Sequence, residues 1–186
     1  MINNIKIIKK FLSEENKDFI NKVLLSSDFP YYLSEYDAQH PHDACVPSYK
    51  VLCHNVLQRK EDRIKPGFNS EHSRPTLNIL SNFFVKAGIK EVLFHRICYN
   101  FTFNIGVRKS YIHEDHAYPH SQAIIYLSKV LDKDTPTVIL DKKHKVIKKI
   151  KYEMDKGVIF DKTPHYHVFP KKGARLVLVA TFDKIN

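Results

Sequence analysis

Three short stretches of the sequence carry side chains that bind metals or carboxylates. His113, Glu114 and Asp115 are consecutive, His165-Tyr166-His167 follows about fifty residues later, and Arg175 precedes an apolar run. On a β-strand, residues two apart project to the same face. His113 and Asp115 would therefore present an imidazole and a carboxylate to one point while Glu114 turns away, which is half of a metal site.

A second imidazole on a neighbouring strand would complete such a site, and either His165 or His167 could supply it. Two histidines and one carboxylate occupy one face of an octahedral ion and leave three positions open. Non-haem Fe(II) oxygenases use those positions for a co-substrate and dioxygen. The residue types therefore point to metal-dependent oxygen chemistry.

The length and cysteine usage indicate one intracellular domain. A chain of 186 residues is expected to form a single domain, residues 1–186. The first residues lack the apolar core of a secretory signal, and no apolar stretch approaches the roughly 20 residues of a membrane span. Three cysteines without C-x-x-C spacing argue against disulfides and a zinc knuckle. We expect a soluble cytoplasmic protein that does not bind membranes, in a reducing compartment that suits Fe(II).

The charge balance favours acidic partners. The chain has 30 basic and 20 acidic side chains, a net charge of +10, which attracts polyanions or acidic substrates. The most basic run, residues 141–152, alternates like a strand hairpin with lysines towards solvent. Edge lysines commonly block edge-to-edge pairing, so we expect a solvated edge, with a binding patch as the alternative.

Helical patterns precede the strand patterns. Ser13 is a candidate N-cap for a helix carrying Phe19, Ile20, Val23 and Leu24 at helical spacing. A second helix is predicted from about Pro75 to Gly88. Between them, residues 31–69 are expected to be loops with one strand near residues 51–53, forming a lid over the site.

From Val92 onward the apolar period changes to two, which predicts short antiparallel strands in a sandwich or barrel. Helices first and strands second give an α+β domain. The predicted strands span residues 92–103, 123–127, 137–140, 146–152, 157–160 and 176–182.

With these strands in place, the chain resembles the small prolyl-hydroxylase-like branch of the 2-oxoglutarate- and Fe(II)-dependent dioxygenases. The resemblance implies a double-stranded β-helix, a cupin-like jelly roll, over about residues 91–186, supported by a helical and loop region over about residues 1–90. The matching motifs, in order, are Cys98-Tyr99, His113-x-Asp115, Ile125-Tyr126-Leu127, Thr135-Pro136-Thr137, Gly157 to Asp161, Pro164-His165 and Gly173-Ala174-Arg175.

The resemblance also implies roles for single residues. His113 and Asp115 would bind iron, and the Pro164-His165 pair favours His165 as the third ligand, with His167 as the alternative. Arg175 would bind the distal carboxylate of 2-oxoglutarate, because a buried guanidinium needs a carboxylate partner. The same co-substrate pocket would include Tyr126, Tyr99 and Thr137.

The function implied is hydroxylation of a substrate C–H bond with Fe(II), 2-oxoglutarate and O2, releasing succinate and CO2. The substrate would be a peptide, a protein or a small molecule, and a peptidyl prolyl hydroxylase is the first expectation. Two alternatives belong to other classes. One is a non-catalytic metal-binding jelly-roll protein, and the other, less favoured, is a basic nucleic-acid-binding or demethylase-type module.

Overall fold

The computed structural model describes residues 4–35, 50–60, 63 and 67–185. Within the predicted lid, residues 36–49, 61–62 and 64–66 lie outside these described residues. In chain order the elements are β1 (Lys6–Lys9), α1 (Glu14–Phe19), β2 (Tyr32–Glu35), β3 (Lys50–Leu57), α2 (Ser73–Ala87), β4 (Glu91–Phe103), β5 (Ser121–Tyr126), β6 (Thr137–Leu140), β7 (Val146–Ile150), β8 (Lys156–Asp161), β9 (His165–His167) and β10 (Ala174–Ile185).

Two antiparallel sheets form the core. The major sheet has the order β1-β8-β5-β10-β4-β3-β2, and the minor sheet has the order β7-β6-β9. Residues 109–113, here called the bridging segment, lie along the edge of β9 that does not pair with β6. They form two isolated bridges, His113 with His165 and Lys109 with Val168, the residue after β9. The major sheet thus contributes β4-β10-β5-β8, and the minor sheet contributes β7-β6-β9 and the bridging segment. This is a double-stranded β-helix, as predicted.

Both predicted helices are present, and the residues expected at their ends cap them. The Ser13 hydroxyl accepts a hydrogen bond from the Asn16 backbone N–H, and the Asn16 side-chain oxygen accepts one from the Ser13 backbone N–H, so α1 begins with a complete capping box. The helix then continues as a π-helical turn, Ile20–Leu24. At the end of α2, Gly88 adopts a φ of 69°, a left-handed conformation that glycine accepts without strain. Among the described residues, no helix has the length and apolar character needed to cross a membrane.

The two faces of the major sheet bury different groups. One face packs against α2 and α1 in the larger apolar cluster, which includes Phe83, Tyr99 and Leu178. The other face points into the barrel, where Tyr126 and Val177 meet side chains of the minor sheet. Strand alternation assigns residues to these faces, so it also decides which polar side chains can reach the barrel interior.

Some elements differ from the sequence-based predictions. Strands β1 and β2 were not expected, because each has only four residues and no clear alternation. Strand β7 is an edge strand, as expected for the basic run, and the lysines of that run are exposed. They are Lys142, Lys143, Lys145, Lys148, Lys149 and Lys151.

Candidate metal centre

His113 and His165 are brought together by direct strand pairing. Each donates its backbone N–H to the carbonyl oxygen of the other, and both hydrogen bonds measure 3.0 Å. Residues directly opposite each other in an antiparallel pair project their side chains to the same face. The two imidazole rings accordingly lie side by side, with 4.4 Å between their centroids.

Asp115 completes the group from a position that was not anticipated. The pattern predicted a strand through His113 and Asp115, whereas His113 lies in a single bridge and Asp115 lies in the bend that follows. The bend still turns the carboxylate inwards, with Asp115 Oδ2 3.6 Å from His165 Nε2. Glu114 points elsewhere and pairs with Lys162 at 3.3 Å.

The three side chains form the one cluster of three or more His, Cys, Asp or Glu residues found with metal-binding spacing among the described residues. One ligand atom from each of His113, Asp115 and His165 lies within 4.8 Å of the other two. A single ion between them can contact all three after small side-chain shifts. Two nitrogen ligands and one carboxylate oxygen form the donor set that suits non-haem Fe(II).

Hydrogen bonds to the backbone orient both imidazoles. We assign Nδ1–H of His113 as the donor to the Tyr111 carbonyl oxygen and Nδ1–H of His165 as the donor to the Thr163 carbonyl oxygen, both at 3.0 Å. This tautomer leaves each Nε2 lone pair for a metal. Burial, and next the neighbouring His165 imidazole, lower the pKa of His113 to about 4. His113 is therefore neutral and able to coordinate at neutral pH.

Asp115 is ionised despite its burial. Its side chain is only 7% exposed, and this desolvation favours the neutral acid, but His165, His113 and Arg96 outweigh it and hold the pKa below its usual range. Arg96 Nη1 lies 3.6 Å from Asp115 Oδ1, whereas the other carboxylate oxygen, Oδ2, is the one near His165. Arg96 was missed by the sequence analysis.

His167 does not join the metal cluster. It lies on the same side of β9 as His165 but one strand repeat away, about 7 Å along the strand. Its ring packs edge-on against Phe169, with centroids 4.6 Å apart. Burial, followed by the charge of Arg175, lowers its pKa well below the usual value. His167 thus lies between the metal cluster and Arg175, and the geometry favours His165 as the third ligand.

Arg175, the second residue of β10, projects into the barrel and is 2% exposed. Its Nη2 donates to Thr137 Oγ1 at 3.5 Å, and its guanidinium carbon lies 5.3 Å from the centre of the Tyr152 ring. Tyr126 packs against Tyr152 with ring centroids 4.7 Å apart. Burial raises the pKa of Tyr126 to about 12, while Thr137 and Arg175 act in the opposite direction. The structure therefore brings together three of the four residues predicted to bind the co-substrate.

Tyr99 is the exception. Its hydroxyl lies 2.7 Å from Thr76 Oγ1 on α2, and its ring belongs to the apolar cluster between the sheet and the helices. Its neighbour Cys98 occupies the barrel-facing position instead. Adjacent residues of a strand face opposite sides, so Tyr99 is placed outside the pocket that it was predicted to line.

Two further residues inside the barrel escaped sequence analysis. Gln122 is buried, and its Nε2 lies 3.3 Å from His165 Nδ1. It occupies the same face of β5 as Tyr126, four residues away, so alternation from Tyr126 could have indicated it. Tyr152 was read as the end of the basic run, although its hydroxyl donates to the Leu176 carbonyl oxygen at 2.9 Å inside the barrel.

Comparison with known proteins identifies similar folds but no matching sequence family. No family model and no curated protein matches the chain. Among solved structures, it is similar to an oxidoreductase of the 2OG-Fe(II) oxygenase family from Burkholderia pseudomallei, with a TM-score of 0.72 and 16% identity over 98% of this chain and 86% of that one.

Two other similar structures are a prolyl hydroxylase and an epimerase. A prolyl hydroxylase from Trichoplax adhaerens, in complex with a hypoxia-inducible-factor degradation-domain peptide, has a TM-score of 0.62 and 15% identity over 98% of this chain and 84% of that one. A non-haem α-ketoglutarate-dependent epimerase from nogalamycin biosynthesis has a TM-score of 0.65 and 12% identity, covering 98% and 78%. The chain has the fold that these oxygenases share.

Proposed function

We propose that the protein is an Fe(II)- and 2-oxoglutarate-dependent oxygenase that hydroxylates a C–H bond of its substrate. The observation that carries this proposal is the presence, inside one barrel, of the His113, Asp115 and His165 cluster together with the buried guanidinium of Arg175. The fold alone hosts many functions, so the argument depends on these side chains.

The protein residues fit both groups that the reaction needs. His113, Asp115 and His165 would hold Fe(II), a donor set that would leave coordination positions for the co-substrate and O2. When bound, Fe(II) would supply the oxygen chemistry, in which 2-oxoglutarate and O2 give succinate and CO2, with one oxygen atom of O2 entering the succinate and the other entering the substrate as a hydroxyl group. The chain's own residues bind and orient these groups.

Arg175, Thr137 and Tyr126 suit a carboxylate. A guanidinium offers paired N–H donors, and the two hydroxyls lie beside it. In a buried setting such a site binds an anion more strongly than a neutral group, because little water competes. These residues would anchor the distal carboxylate of 2-oxoglutarate and so direct its other end towards the metal cluster.

The remaining interior excludes water. Aliphatic and aromatic side chains separate the polar groups, and Val158, Phe160, Val177 and Val179 are all buried in the same cluster. A dry site strengthens the electrostatic contacts within it and limits side reactions.

For the substrate, we propose a peptide, with hydroxylation of proline as the first reaction to test. The similarity in fold to a prolyl hydroxylase that was solved with a peptide supports this choice. Because the epimerase of similar fold comes from nogalamycin biosynthesis, small-molecule substrates form the second arm of the test.

The decisive experiment is an anaerobic titration of the protein with Fe(II) and 2-oxoglutarate, followed by succinate measurement in air. We expect a metal-to-ligand absorption band that requires both additions, and then succinate. His165→Ala should lose both. A band without succinate, across peptide and small-molecule panels, would favour the non-catalytic metal-binding alternative. Salt-sensitive nucleic-acid binding that is unchanged in His113→Ala, with no band, would favour the nucleic-acid alternative.

A further inference from the structure

The hairpin that joins β6 to β7 carries half of the protein's net positive charge. Residues 141–151, here called the basic hairpin, contain six lysines and one aspartate, a formal charge of +5 within the total of +10. All six lysines are exposed. None of them forms an ion pair with a described residue, although several lysines elsewhere in the protein do. Their charge is therefore available to a partner.

The one acidic side chain of the basic hairpin is bound by the backbone of its own turn. Asp141 Oδ1 accepts hydrogen bonds from the backbone N–H groups of Lys143 and Lys145, both at 2.8 Å. The Asp141 backbone N–H donates to the Lys145 carbonyl oxygen at 2.8 Å, and the His144 N–H donates to the Asp141 carbonyl oxygen at 2.9 Å. These four bonds stabilise the turn, so a partner would meet lysines on an ordered backbone, which lowers the entropic cost of binding.

Strand β7 has one unpaired edge. It pairs with β6 alone, and no other described strand covers its outer side. Two apolar side chains of β7, Val146 and Ile147, are 52% and 40% exposed. The edge thus offers backbone N–H and C=O groups beside apolar and basic side chains. An extended peptide can add to such an edge through main-chain hydrogen bonds.

The lysines determine which kind of strand can pair at this edge. Edge lysines oppose pairing with an apolar or basic strand, as expected from the sequence. Opposite charges on neighbouring strands attract each other, so an acidic segment would be accepted. Nucleic acid fits this surface less well, because the single aromatic residue of segment 141–152, Tyr152, is buried and leaves no platform on which a base could stack.

Strand register places the basic hairpin beside the metal cluster. His165 pairs with Ile139 on β6, and Ile139 pairs with Lys148 on β7. Neighbouring strands are about 4.8 Å apart, so the backbone of Lys148 lies about 10 Å from that of His165. The turn continues beyond this row, whereas Thr137, at the other end of β6, contacts Arg175. The turn therefore lies at the barrel end opposite to the site proposed for the distal carboxylate of 2-oxoglutarate.

We propose that the basic hairpin binds an acidic, extended segment of a protein substrate along the free edge of β7. In calling this partner a substrate, the inference rests on the proposed function, whereas the binding itself does not depend on it. About three or four extended residues span 10 Å, so at least that many would separate the acidic segment from the residue that reacts. Binding at the hairpin would raise the effective concentration of that residue at the metal cluster.

The test measures binding of three fluorescein-labelled probes to the full-length protein by fluorescence anisotropy. The first is a peptide of alternating glutamate and threonine, the second has glutamine in place of every glutamate, and the third is single-stranded DNA of the same length. We expect saturable binding of the acidic peptide that weakens as salt rises, because exposed charges are screened. At about 150 mM salt, the acidic peptide should bind more tightly than either other probe.

Two triple variants locate the binding surface. Combining Lys145→Gln, Lys148→Gln and Lys149→Gln should weaken binding of the acidic peptide about tenfold, because each exposed ion pair contributes about twofold. Replacing all three with glutamate should abolish this binding and create binding of a peptide of alternating lysine and threonine. Thermal melts check that both variants fold.

A matched control removes the same charge from the helical side of the protein. Lys10, Lys22 and Lys90 are exposed and lie outside the basic hairpin. Changing all three to glutamine should weaken binding of the acidic peptide less than the hairpin variant does, because only the long-range attraction of the net charge is reduced.

Three results would overturn the inference while leaving the proposed function intact. They are no saturable binding of the acidic peptide, equal or tighter binding of the glutamine peptide or the DNA, and equal weakening by the hairpin and control glutamine variants. None of the exchanged lysines belongs to the metal cluster. Conversely, an absent absorption band with Fe(II) and 2-oxoglutarate in the wild-type protein would reject the proposed function, and peptide binding at the hairpin would then not concern a substrate.

Discussion

Tyr99 and Tyr126 show how differently the two faces of the major sheet are used. Both tyrosines are completely buried, and both lie on central strands. Tyr99 projects towards α2, where its hydroxyl meets one threonine and apolar side chains surround its ring. Tyr126 projects into the barrel, beside Arg175 and Thr137. The same residue type therefore serves packing on one face and a polar pocket on the other.

This difference shows that the two faces of the major sheet contribute to different properties, one to stability and the other to binding. The helix-covered face buries mostly apolar groups and stabilises the sheet through their removal from water. The barrel face buries Gln122 and Arg175 and partly buries Arg96, and these side chains lose solvation and need specific partners. Mutations on the first face should change stability, and mutations on the second should change binding.

The largest expected effect is loss of metal binding in His165→Ala, which should distinguish His165 from His167. In His165→Ala, we expect the Fe(II) and 2-oxoglutarate absorption band to vanish, because loss of a ligand should exceed the 10- to 100-fold cost of losing an outer partner. His167→Ala should retain the metal site, since His167 lies about one strand repeat away. Anaerobic titration of both variants checks this. The opposite pattern would exchange the roles of the two histidines.

The next effect concerns the other end of the barrel. Arg175→Ala should weaken 2-oxoglutarate binding by about 2–5 kcal/mol, the usual cost of truncating one partner of a buried charge pair. Fe(II) binding should remain, because Arg175 is not a member of the metal cluster. Arg175→Lys is the matched control, which keeps the charge but loses the paired donors. Equal loss of metal and co-substrate affinity would indicate general unfolding, which a thermal melt would reveal.

On the helix-covered face, Gly157→Ala should reduce stability without altering metal binding. A Cβ atom at Gly157 would lie 2.5 Å from Phe83 Cε2. Overpacking of this kind costs about 1–3 kcal/mol, measured as the free energy of unfolding in urea. Adding Phe83→Leu should restore part of the loss by making room. A fully stable Gly157→Ala protein would show that α2 can move away from the sheet.

The smallest effect compares the two tyrosines directly. Tyr99→Phe should lower the free energy of unfolding by about 1 kcal/mol through loss of its hydrogen bond to Thr76, with unchanged affinity for 2-oxoglutarate. Tyr126→Phe should instead weaken 2-oxoglutarate binding by a similar amount. Urea unfolding and co-substrate titration of both variants provide the measurements. A co-substrate defect in Tyr99→Phe alone would reverse the assignment of the two faces.

Local sequence signals predicted much of the fold. Ser13 and Gly88 marked helix ends because capping depends on a few adjacent residues. The strands after Val92 were visible because apolar alternation repeats over several residues. Strands β1 and β2 were missed because their short sequences show no clear apolar alternation, and pairing with β8 and β3 defines them.

The order of residue types along the chain determined which side chains could form a metal site, namely His113, Asp115 and a histidine at 165 or 167, with Arg175 behind them. Tertiary structure decided the rest. Pairing of His113 with His165 selected one of the two histidines, the direction of β4 removed Tyr99 from the pocket, and the packing of distant strands added Arg96 and Gln122. The physical reason is that coordination and ion pairing act over a few ångströms between residues far apart in sequence, and strand register sets those distances.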